Sequence, residues 1–151
     1  GTIGADLSGL ELKQPISEDL RQALRTALDT HLVLVIEDQF LDATRHRLLS
    51  EVFGKPMVNP YAPGKAPHPE MTHVIKEADD AAGVFGGGWH TDLSFFDQPP
   101  NGSVLCALEV PPFGGDTLFS NQQAAWDGLA APLREILNNR KLVHVGKPYG
   151  I

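Results

Sequence analysis

His90 and Asp92 stand two residues apart, directly behind the run Gly86-Gly87-Gly88-Trp89. An imidazole nitrogen beside a carboxylate oxygen suits a divalent transition metal, and two histidines with one carboxylate form the open-faced set of non-haem Fe(II) oxygenases. The residues that follow, Leu93-Ser94-Phe95-Phe96, have the aromatic, alternating character of a strand. On a strand, residues i and i+2 share a side, so the two groups would point at one spot. Glycines ahead of them permit a sharp bend and a close approach. The same spacing also suits a solvated histidine beside a turn aspartate. A second His-x-acid set, His68-Pro69-Glu70, lies among prolines and reads as a turn.

The elements that must position this pair begin with an extended stretch within Gly1–Leu12. Ser17 is a good N-cap, with Glu18 and Asp19 in the first turn. Leu20, Ala23, Leu24, Ala27 and Leu28 then repeat at helical spacing, predicting an amphipathic helix to about Asp29. Leu32–Ile36 is continuously apolar, as in a strand buried on both faces. Asp42 or Thr44 opens a second helix through Leu48, Leu49, Val52 and Phe53, with Gly54 as its C′ residue. Residues 56–69 form a long proline-rich loop, the kind that is usually functional or mobile. Asn59, Tyr61 and Lys65 on it are candidate substrate contacts in a lid.

Further strands are predicted at Met71–Lys76, Val104–Val110, Thr117–Ser120 and Lys141–Val145. Ser120 or Asn121 caps a helix holding Trp126, and Pro132 sits in the first turn of another. Trp89 and Cys106 read as packed interior residues. Early helices followed by many strands suit a mainly β fold, a sandwich or jelly roll with flanking helices, as a single domain over 1–151.

A net charge of −7 and a pI near 5.2 argue against nucleic-acid or anionic-membrane surfaces, which need clustered Lys and Arg. No apolar run approaches the roughly 20 residues of a membrane helix. One cysteine excludes an internal disulfide, and no basic-then-apolar leader is present, so the cytoplasm is the expected compartment.

Trp89-His90-Thr91-Asp92-Leu93-Ser94-Phe95, then Pro99-Pro100, then Gly114-Gly115-Asp116-Thr117-Leu118-Phe119 resembles the taurine catabolism dioxygenase family. The likeness extends back through Leu32–Ile36, Gln39 and Phe53-Gly54. It implies an Fe(II)- and 2-oxoglutarate-dependent dioxygenase on a double-stranded β-helix, hydroxylating a small organic substrate with O2. It makes His90 and Asp92 iron ligands, and Thr117 the hydroxyl that bonds the 2-oxoglutarate carboxylate. The family's second iron histidine and its keto-acid arginine lie farther downstream and have no match here. The expectation is therefore an incomplete jelly roll, a piece inactive alone, whose unpaired sheet edge favours homo-oligomers. The family's taurine-acting enzyme has a substrate-contacting Asn shortly ahead of the His-x-Asp pair; here that stretch is Phe85-Gly86-Gly87-Gly88, which argues against taurine.

Two other readings use the same residues. One is a non-catalytic binding or sensor module on the same fold, separable by turnover of 2-oxoglutarate. The other is a cupin-like enzyme using zinc or manganese, separable by anaerobic metal analysis.

Overall fold

Ser17 accepts a hydrogen bond from Leu20 N at 3.2 Å and starts α1 (Glu18–His31), as its position ahead of the apolar stripe predicts. The structure is a computed structural model that describes residues 2–77, 79–81, 83 and 86–146. Its chain gathers into two compact units, one of Gly1–Val52 with Val104–Leu142 and one of Phe53–Ser103 with Val143–Ile151.

In the first unit, α1 joins β1 (Ala5–Leu7) to β2 (Leu34–Ile36), which pair in parallel with Ala5, Asp6 and Leu7 opposite Leu34, Val35 and Ile36. A parallel pair needs such a crossover, and a helix supplies it. α1 runs two residues past the expected end because Leu32 takes the left-handed conformation (φ 66°), its N–H donating to the Leu28 carbonyl at 2.7 Å. The strand consequently begins at Leu34 rather than Leu32. Val35 remains 45% exposed, so β2 is not buried on both faces.

α2 (Ala43–Ser50) starts at Asp42, whose Oδ1 accepts from Arg45 N at 2.7 Å. It ends at the cap Glu51, short of Val52 and Phe53, and Gly54 is not its C′ residue. Leu24, Leu49, Val52 and Leu12 form the small buried core beneath these elements. Arg25 Nε donates to the Val52 carbonyl at 2.6 Å, tying α1 to the residue after the α2 cap. Gln39 clamps the stretch after β1. Its Oε1 accepts from Leu12 N, and its Nε2 donates to the Leu10 carbonyl, each at 3.0 Å. α3 (Gln122–Asp127) is capped by Asn121, which also donates to the Thr2 carbonyl at 2.6 Å. α4 (Ala131–Asn138) carries Pro132 in its first turn.

Among the described residues, β1 and β2 are the only strands. Met71–Lys76, Val104–Val110, Thr117–Ser120 and Lys141–Val145, all expected as strands, run without ladder partners. A period-2 pattern gives a segment a face to bury but does not supply the neighbouring strand whose N–H and C=O groups complete it. Leu105, Leu108, Val110, Phe113 and Leu118 are accordingly exposed, and Cys106 is half-buried rather than interior.

The second unit is built from turns. His68 N donates to the Lys65 carbonyl and Met71 N to the His68 carbonyl, each at 3.0 Å, while Gly64 N reaches the Pro69 carbonyl at 2.8 Å. His68-Pro69-Glu70 is thus part of a turn, as its prolines predict. Gly64 admits no side chain, because a Cβ there would stand 1.9 Å from the Met71 carbonyl oxygen. Tyr61, Phe95 and Phe96 form an aromatic cluster with ring centroids 4.9–6.4 Å apart. No helix among the described residues is long and apolar enough to cross a membrane.

Candidate metal centre

Leu93 adopts φ 47°, and Phe96 N donates to the Leu93 carbonyl at 3.1 Å, so the chain turns immediately after Asp92. The strand expected there is a turn. His90 and Asp92 nevertheless converge, with Nε2 3.0 Å from Oδ1. The convergence that period 2 predicts is reached by a different backbone route. Trp89 does not pack into a core. It is 73% exposed and has no ring contact among the described residues. Phe85, at the head of the motif, lies outside the described residues.

The local hydrogen bonds assign a role to each ring nitrogen of His90. Its Nδ1 lies 2.7 Å from the Gly88 carbonyl, which can only accept, so Nδ1 carries the proton and donates. That leaves Nε2 facing the carboxylate. The Gly88 carbonyl is the largest influence and raises the His90 pKa above its ordinary value; desolvation opposes it, and the charge and hydrogen bond of Asp92 each add a smaller rise. Both side chains are about half exposed, at 53% and 56%, so the pair is open to ions from solvent.

The donor set fits a divalent metal. A histidine ligand ordinarily donates its second N–H to a carbonyl or carboxylate, which fixes the tautomer, and Gly88 already does this. Two donors roughly 2.1 Å from one cation, and set at a right angle about it, lie roughly 3.0 Å apart, the separation found here. No group of three or more His, Cys, Asp or Glu suited to a metal occurs among the described residues.

Residues beyond the pair complete its surroundings. Ser103 Oγ donates to Asp92 Oδ2 at 2.8 Å. Sequence reading missed Ser103. The available signal was the turn-forming run Pro99-Pro100-Asn101-Gly102, which reverses the chain ahead of it. His144 Nδ1 lies 2.7 Å from Ser94 Oγ, two residues beyond Asp92.

The loop candidates divide. Tyr61 packs on Phe95 and Phe96 at 5.8 and 6.4 Å, so the proline-rich loop touches the segment that follows His90 and Asp92. Asn59 spends its Oδ1 on Tyr61 N at 3.0 Å, a turn-making bond. Lys65 is exposed. Thr117 belongs to the other unit, exposed behind a turn in which Gly114 and Gly115 have φ of 77° and 76°.

Residues 1–150 match the family described as "Taurine catabolism dioxygenase TauD, TfdA family". Among characterised proteins, the chain is 33% identical over 145 residues to an alkylsulfatase of Acinetobacter baylyi, covering 95% of this chain and 44% of that protein. It is 31% identical over 145 residues to an alpha-ketoglutarate-dependent sulfate ester dioxygenase of Pseudomonas putida, covering 95% and 47%. Among solved structures, a taurine dioxygenase from Burkholderia xenovorans superposes with a TM-score of 0.74 at 29% identity, covering 92% of this chain and 49% of that one. The chain spans about half the length of the relatives it matches.

Proposed function

Because the chain belongs to the taurine catabolism dioxygenase TauD, TfdA family, we propose that it serves an iron(II)- and 2-oxoglutarate-dependent dioxygenase acting on a small organic substrate. The proposed architecture is the family's double-stranded β-helix, with residues 1–151 forming the N-terminal part of a single domain, and the proposed compartment is the cytoplasm. The observation that carries the reading is the His90–Asp92 donor pair, 3.0 Å apart, with the imidazole fixed by the Gly88 carbonyl.

In this proposal His90 Nε2 and Asp92 Oδ1 hold the iron, and the Thr117 hydroxyl donates to the 2-oxoglutarate carboxylate. Iron, keto acid and O2 together supply the oxidising chemistry, coupling decarboxylation of 2-oxoglutarate to succinate and CO2 with hydroxylation of the substrate. The chain's own contribution is positional. Gly88 keeps the Nδ1 proton in place, so Nε2 loses its proton when metal enters, and the Asp92 carboxylate offsets part of the cation's charge. Tyr61 with Phe95 and Phe96 offers an apolar wall on the substrate side, where water is best excluded. Asn59 and Lys65 complete the proposed substrate-side loop.

Several relatives carry names that place sulfate esters or sulfonates as their substrates. A panel of alkyl sulfates and alkanesulfonates is therefore the first set to try, with taurine as the comparison because no amide side chain precedes His90 in Gly86-Gly87-Gly88. The test measures succinate formed by the intact protein and by Asp92→Ala under matched iron and 2-oxoglutarate. Turnover in the first and none in a folded Asp92→Ala protein is expected. Near-normal succinate from the variant would refute the assignment.

A further inference from the structure

The Asp92 carboxylate is gripped at both oxygens, by different parts of the chain. Oδ1 faces His90 Nε2 at 3.0 Å, two residues away, and Oδ2 accepts the Ser103 hydroxyl proton at 2.8 Å, eleven residues away. The stretch that carries Ser103 has an anchor besides Asp92. Two residues before it, Asn101 Nδ2 donates to the Phe53 carbonyl at 3.1 Å, which anchors that stretch to the start of the unit.

We propose that Ser103 is a positioning residue that reserves Oδ2 of Asp92, so that the carboxylate offers a metal Oδ1 alone. The proposal rests on the metal-site reading given above and adds the manner in which Asp92 ligates. A carboxylate can bind a cation through one oxygen or both. On that reading, an iron held by His90 and Asp92 would need positions left open for a co-substrate. A second Asp92 oxygen would take up one of them. A hydroxyl donor on Oδ2 makes that oxygen a poorer and less available ligand, since one of its two lone pairs is already committed and the carboxylate's orientation is fixed. Ser103 therefore acts on which positions stay open as well as on how tightly the metal is held.

The experiment titrates Co(II) into the intact protein without oxygen, reading affinity and the visible d–d spectrum together. It compares the parent with Ser103→Ala, Ser103→Val, Ser103→Thr and His90→Ala. Valine and threonine share a shape and differ in the hydroxyl, so the pair separates hydrogen bonding from packing or misfolding. Ser103→Ala and Ser103→Val are expected to bind Co(II) about 10- to 100-fold more weakly and to change its spectrum. Ser103→Thr is expected to retain both parental properties. Parental affinity and spectrum in Ser103→Ala, in a protein where His90→Ala fails to bind, overturn the role of Ser103 and leave the metal site standing. Equal losses in Ser103→Thr and Ser103→Val overturn it as well, because shape would then be the cause. Parental binding by His90→Ala overturns the metal site, and the role of Ser103 with it.

Discussion

Gly86 lies against the imidazole of His90: a Cβ at position 86 would stand 3.2 Å from Cε1 and 3.8 Å from Nε2. The residue also sits at φ +70°, where an L side chain is strained by roughly 1–2 kcal/mol. Both effects require glycine at this point in the glycine run. Gly86→Ala is expected to push the ring off the donor geometry and weaken metal binding, while thermal stability changes by little more than the local strain. Anaerobic Co(II) titration alongside a thermal melt separates the two, and unchanged affinity would show that the imidazole does not need the space.

Metal binding should depend on pH through His90. Its pKa is raised, first by the Gly88 carbonyl and then by Asp92, so the metal-free protein keeps the imidazolium to a higher pH than a free histidine does. That form contributes stability fully below the unfolded value of 6.5, and the contribution is lost as pH rises through the raised folded value. A metal must displace the Nε2 proton. Affinity is therefore expected to fall by about tenfold per pH unit once the pH drops below the raised value, with about one proton released per metal bound. Calorimetry in buffers of different ionisation heat measures that proton. Release of none at pH 6 would contradict the assignment of Nε2 as the ligand.

Thr117 makes no side-chain hydrogen bond among the described residues, so its hydroxyl is available to a co-substrate. Thr117→Val keeps the shape and removes the donor. One hydrogen bond to a charged group is worth on the order of 1.5–3 kcal/mol, so KM for 2-oxoglutarate should rise roughly 10- to 100-fold. The maximal rate should change little. An unchanged KM would place the carboxylate elsewhere.

Gln39 holds the stretch after β1 by bonds to both Leu10 and Leu12, and Leu12 is only 3% exposed. Gln39→Ala would leave a buried backbone N–H unpaired, at a cost of about 1–3 kcal/mol. Gln39→Glu keeps the acceptor for Leu12 N and loses the donor to Leu10, so its cost should be intermediate. Urea denaturation orders the three proteins, and a Gln39→Glu protein less stable than Gln39→Ala would show that charge outweighs the lost bond.

The helices were legible because their signals are local. Ser17, Asp42, Asn121 and Pro132 each act within one turn, and the stripe from Leu20 to Leu28 needs no partner to declare its period. Strands depend on partners, and there the reading failed for most segments while β1 and β2 survived next to each other. The side chains proposed as the site show the same division. That His90 and Asp92 would converge was legible from their types and spacing, and they do. The turn at Leu93 was not, because a leucine at positive φ carries no sequence signal. Ser103 escaped because its bond spans eleven residues and a turn. Trp89 was assigned to a core by its apolar bulk, yet bulk alone does not bury a side chain that lacks a facing layer.

The donor pair and its lock occupy only residues 88–92. Closing so short a span takes little chain entropy, so an unfolded stretch can bring the same two donors together for a fraction of the time. A metal that has some affinity for the unfolded chain stabilises the folded one by less than its binding strength implies. Added metal is therefore expected to raise Tm by less than the Kd of the folded protein implies. If the pair holds a metal as proposed, it would also capture the ion early, before the longer-range contact through Ser103 has formed.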